Sequence, residues 1–100
     1  RTNNMAAYAH ESITVADTAI GLTEANIALA DSLYGRPVKR IIATVETAQI
    51  RVTFDGTTPT STVGHIANVA DVLEIDGADA RKFRAIRVSS SGALKCTYEV

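Results

Sequence analysis

A chain of 100 residues, 46% apolar and 21% charged with a formal net charge of -1, holds enough sequence for one globular domain. That balance excludes a disordered polar chain, and it lacks the basic excess with which a domain grips a phosphate backbone. A single cysteine, Cys96, rules out an intrachain disulfide and a cysteine-based metal cluster within one protomer.

Residues 1–10, RTNNMAAYAH, show no period, and an extended or mobile N-terminal arm is expected there. The start carries no continuous apolar core of the signal-peptide kind, and no stretch approaches the roughly 20 apolar residues of a membrane span. A soluble chain without membrane contact is expected. Strand-like stretches follow at 12–15 and 19–22. TEANIALADSL is compatible with a helix capped at Thr23, but Ile27 and Leu29 alternate with Asn26, Ala28 and Ala30, which favours a strand. Gly35 and Pro37 then close the segment.

VKRIIATV at 38–45 sets Ile41, Ala43 and Val45 on one side and is β-branched throughout, as a strand requires. AQIRVTF at 48–54 repeats the pattern, with Ile50, Val52 and Phe54 facing the core and Arg51 and Thr53 opposite. Glu46-Thr47 between them is placed as a hairpin turn. Shorter strands are expected at 71–75 and 83–88, with a turn at Asp76-Gly77 and an irregular or 3₁₀ turn across 78–82. SSSG at 89–92 reads as a second hairpin connection. The last strand sets Leu94, Cys96, Tyr98 and Val100 inward and Lys95, Thr97 and Glu99 toward water. Strands recurring about every 10 residues predict an all-β fold, a single-domain antiparallel β-sandwich over residues 11–100, jelly-roll-like or a small barrel.

The richest polar stretch is VTFDGTTPTSTVGH at 52–65. Asp55, Ser61 and His65 supply the letters of a nucleophilic triad, but within one loop, whereas a working triad draws its members from separate rigid elements. Asp55-Gly56 starts a turn, Pro59 favours an extended path, and the segment is read as an exposed contact loop. The two histidines, His10 and His65, have no second ligand at metal spacing. Asp71, Glu74, Asp76 and Asp79 fall on different strand faces under alternation and do not converge on a cation. Cys96 lies on an apolar face and reads as a core residue. Arg81, Lys82, Arg84 and Arg87, with Lys39 and Arg40, are read as a solvated face and not as a nucleic-acid surface. No catalytic residue, no metal ligand and no cofactor site is therefore expected, and the chain is expected not to be an enzyme.

The run VETAQIRVTFDGTTPTSTVGH, followed by DVLEIDGADARKFRAIRVSSSGALKCTYEV, resembles small structural, decoration-type proteins of tailed bacteriophages. The residues that carry it are Val45 to Thr47, Ile50 and Arg51, Asp55 to Thr57, Pro59 and Thr60, Gly64 and His65, and Phe83 to Arg87. It covers 38–100, and the first 37 residues match only loosely. The resemblance implies a virion location and a structural or binding role. Its first form is a capsid decoration protein bound to the major capsid protein or another virion protein, as a dimer or trimer. The alternatives are a tail or head-fibre component, or a receptor- or glycan-binding module.

Overall fold

The computed structural model describes residues 6–100. The chain runs β1 (Ala7–Val15), α1 (Glu24–Tyr34), β2 (Arg40–Glu46), β3 (Ile50–Thr53), β4 (His65–Ala67), β5 (Val72–Asp76), a 3₁₀ turn (Gly77–Asp79), β6 (Arg84–Arg87) and β7 (Gly92–Glu99). The strands form two antiparallel sheets, one of order β1-β7-β2-β5 and one of order β4-β3-β6. The expected all-β class holds.

Alternation places the core. Ile13 and Val15 of β1, Ile41, Ala43 and Val45 of β2, Ile50 and Val52 of β3, Ala85 of β6 and Leu94, Cys96 and Tyr98 of β7 are all buried in one cluster. In register, Ile41 stands opposite Tyr98, Ala43 opposite Cys96 and Val45 opposite Leu94, so the apolar faces of the two central strands coincide. Burying such rows removes apolar area from water at roughly 25 cal/mol per Å². The predicted inward residues of 38–45 and 94–100 and Ile50 and Val52 of β3 are buried, but Thr53, expected toward water, is buried too while Phe54 is only partly so. The 3₁₀ turn after Asp76 stands where an irregular turn was expected.

Several expectations need correction. Residues 24–34 form a helix, not a strand. Thr23 precedes an acidic first turn at Glu24, and the helix ends on Gly35 in the left-handed conformation (φ 68), whose N–H reaches Asp31 O. Those termini suit a helix and its dipole, and the buried residues Ile27 and Ala30 follow a helical spacing that the Ile27/Leu29 alternation obscured. The stretch 19–22 is no strand: only Ile20 forms a bridge, to Ala85 of β6.

Neither predicted hairpin is one. Residues 47–49 lead from β2 in the first sheet to β3 in the second, and 88–91 lead from β6 back to β7, so both connections cross between the two sheets. Thr47 adopts φ 77 to make its crossing. The two crossings pack together: a Cβ on Gly92 would stand 2.8 Å from Ala48 O. The boundary of the N-terminal arm also moves. Ala7 to His10 belong to β1, paired with β7, while residues 1–5 lie outside the described residues.

Glu99 departs from its expected wet face. It is 2% exposed and faces Arg40, whose guanidinium donates to Glu99 Oε1 from Nε at 2.8 Å and whose other end meets Glu74 at 3.1 Å. A buried carboxylate is tolerated when it is paired and hydrogen-bonded in this way.

Candidate functional site

The loop between β3 and β4 is built by its own side chains. The Asp55 carboxylate accepts the Thr57 N–H at 3.0 Å, closing an Asx turn over Gly56, which takes φ 93. Thr53 Oγ1 donates to Thr57 O at 2.5 Å. Thr60 Oγ1 accepts the N–H groups of Thr62 and Val63 at 3.2 and 3.0 Å, and a backbone pair between Thr60 and Val63 shuts the second turn. Pro59 is buried beneath these turns, while Thr57, Thr58, Thr60, Ser61, Thr62 and Val63 are exposed.

Arg51 fastens the loop to the sheet. From the outward face of β3 its guanidinium donates through Nε to Ser61 O at 3.2 Å and through one terminal nitrogen to Gly64 O at 3.0 Å. Carbonyls three residues apart in sequence are held by one planar fork, a fixed geometry that lysine does not offer. Gly64 takes φ 120, and a Cβ there would stand 2.9 Å from Val52 O, so the loop returns against β3 only through glycine. Removing the clamp by Arg51→Ala should speed amide exchange at Ser61 to Gly64 and open 57–63 to proteolysis. Exchange in β2 and β7 should stay unchanged, because the loop lies outside the core.

Asp55 and His65, together with Thr53, Phe54, Thr57 and Gly64, line the same open cleft of about 340 Å³. Phe54 stands between the His65 and Phe83 rings, with centroids at 6.1 and 5.6 Å. Hydrogen bonds from Thr57 hold the Asp55 carboxyl below the usual carboxylate range, with a smaller contribution from Lys82. Ser61 does not line this cleft; it sits on the far arm of the loop, its carbonyl spent on Arg51. Of the three triad letters, the fold brings two together and leaves the nucleophile outside.

The other candidates are dispersed. His10 lies on an exposed sheet face, 3.3 Å from the Thr97 hydroxyl. Asp71 accepts the Asn68 N–H, Asp76 accepts the Ala78 N–H, Glu74 pairs with Arg40, and Asp79 pairs with Lys82 at 3.3 Å. Among the described residues no group of three or more His, Cys, Asp or Glu side chains could hold a metal ion. The basic run does not form one strand face. Arg81 makes a two-pronged pair with Glu24, at 2.8 and 2.9 Å, and Arg84 folds back onto the carbonyls of Arg81 and Phe83. Cys96 is fully buried, and burial pushes its thiol up to about 12, as for a packed core residue.

Sequence reasoning overlooked Glu11. Its alternation with Ile13 and Val15 was the available signal, since it sets Glu11 on the core face of β1, opposite Cys96. The carboxylate accepts from Thr23 Oγ1 at 2.6 Å, Asn26 Nδ2 at 2.7 Å and the Tyr98 hydroxyl. Tyr8 adds a bond to Asn26 O at 2.7 Å, so the start of α1 is tied to β1 and β7. Desolvation raises the Glu11 carboxyl, but the donors from Thr23, Tyr98 and Asn26 outweigh it and bring it below 4.5. A carboxyl depressed on folding contributes its full stability above its unfolded pKa and loses it as pH falls through the folded value. Acid titration should therefore loosen the start of α1 as pH falls below the ordinary glutamate range and through the depressed Glu11 value. Glu11→Gln should flatten that part of the stability–pH curve, as read by urea midpoints at pH 3 to 6, on the order of the range where carboxylates titrate.

Comparison of the chain with models of protein families, with curated proteins and with solved structures gives no match.

Proposed function

We propose that the chain is a non-enzymatic virion protein of a tailed bacteriophage, a capsid decoration protein that binds the assembled shell and stabilises it. The observation that carries this reading is the braced loop at 54–65. A projecting segment locked by Asx and Thr turns, a buried proline and the Arg51 fork presents a row of hydroxyls and Val63 in one conformation. Surface held ready in this way loses little conformational freedom when a partner lands on it.

The resemblance of residues 38–100 to decoration-type proteins names the partner, a capsid protein. Exposed apolar side chains continue past the loop at Ile66, Val69 and Val72, an amount of exposed β-branched surface that suits a contact face. The action is adhesive. Contacts that span neighbouring capsid subunits exist only on the lattice, so binding shifts the assembly equilibrium by mass action. A dimer or trimer matches the local symmetry of such a position.

Co-sedimentation tests the proposal. The protein should pellet with purified empty capsids and stay in solution with free coat subunits, and Arg51→Ala should weaken the capsid binding. Equal binding to free subunits, or retention on a glycan array without capsid binding, refutes it.

A further inference from the structure

We infer that the outer edge of β5 is a docking edge for an extended, basic segment of a partner protein. The backbone sets the requirement. β5 closes one end of the first sheet and pairs with β2 alone. Val45 donates to Asp71 O at 2.9 Å and Gly77 donates to Lys39 O at 2.8 Å, with Ala43 opposite Leu73 and Ile41 opposite Ile75 between them. In an antiparallel ladder the hydrogen-bonding residues alternate, so the odd-numbered residues of β5 face β2. The N–H and C=O groups of Val72, Glu74 and Asp76 therefore point away from the sheet. No described residue supplies a backbone partner to these three. Donors and acceptors repeating every second residue are the pattern that an added strand matches.

Side chains set which strand. Val72 is 63% exposed, and Glu74 remains 69% exposed despite its bond to Arg40. Asp76 follows on the same face. An incoming strand meets these across the new pair, so it is favoured by Lys or Arg opposite Glu74 and Asp76 and by an apolar residue opposite Val72. A second copy of this strand is the wrong occupant. Two-fold antiparallel pairing centred on β5 sets Glu74 against Glu74, and like charges directly opposite are destabilising. The acids that keep the edge from pairing with itself, a usual protection of edge strands, thus also select a complementary partner.

The test uses the full chain and a blocked heptapeptide alternating lysine and valine, with a glutamate–valine peptide as its counterpart. By NMR-detected amide exchange, the lysine peptide should slow exchange at Val72, Glu74 and Asp76, about tenfold more than the glutamate peptide does. Val72→Pro removes one outward N–H and no bond to β2, so it should abolish the protection while keeping the thermal midpoint. Should that variant fail to fold, Glu74→Lys serves: it should reverse the preference between the two peptides. Absence of protection, equal protection by both peptides, or protection that grows with protein concentration alone overturns the inference. No capsid enters this assay, so its outcome is separate from that of the decoration reading.

Discussion

Tyr98→Ala should lower the unfolding free energy by about 3–5 kcal/mol, the cost of emptying a large aromatic site in a packed core. Tyr98 is fully buried on the central strand β7, opposite Ile41 and Ala9, and its ring lies 6.1 Å from that of Tyr8. The hydroxyl ends on Glu11, and burial together with that bond raises the phenol far above its ordinary value, so it is always the donor. Truncation thus removes ring packing and one of the three donors to the Glu11 carboxylate. Tyr98→Phe separates the two losses. Keeping the ring, it should cost only about 1–2 kcal/mol, since Glu11 retains Thr23 and Asn26. Urea denaturation of the three proteins, with equal m-values, checks the order.

The second large effect is expected at Gly77. A Cβ at this position would stand 2.0 Å from Val38 O and 3.0 Å from Lys39 O, both backbone atoms that cannot rotate away. The 3₁₀ turn starting there is held by Gly77 N–H on Lys39 O and by Asp76 capping Ala78, so the turn cannot retreat without breaking the end of the β2–β5 pair. Gly77→Ala should therefore cost about 3 kcal/mol or more, at the upper end of overpacking substitutions. Gly35→Ala is the instructive contrast. A Cβ there meets nothing within 4 Å, and only its positive φ is strained, so it should cost about 1 kcal/mol. Thermal midpoints should fall in that order.

What the sequence made legible was whatever obeyed a short period. The inward rows of β2, β3 and β7 follow from alternation alone, and Cys96 was placed in the core by the same rule. Asp55-Gly56 and Pro59 marked the exposed loop between β3 and β4 correctly, because turn chemistry is local. Contacts that depend on a distant strand were hidden. Residues 47–49 and 88–91 carry the polar letters of tight hairpins, and only the assembled sheets show that they cross from one to the other. Glu99 sits at a wet position by parity, yet Arg40, 59 positions away in sequence, draws it into a buried pair. The helix at 24–34 was masked by Ile27 and Leu29, whose alternation fits a strand, while the helical pair that is buried is Ile27 and Ala30. Helical termini at Thr23 and Gly35 were the stronger signal.

In the loop, the letters Asp55, Ser61 and His65 invited a triad. Tertiary packing joins the first and last in one cleft and uses the Ser61 segment as an anchor for Arg51. The same arrangement that removes Ser61 from the cleft braces the loop through the Arg51 fork.

The proposal that the chain decorates a phage capsid is tested most directly by a reconstruction of the virion that would carry it. A decoration protein should appear there as copies of a small β density on the outer shell, at junctions between capsomers, with the 57–63 loop turned toward the coat lattice. Density confined to the tail or to fibres, or virions that lack the protein altogether, would contradict the proposal.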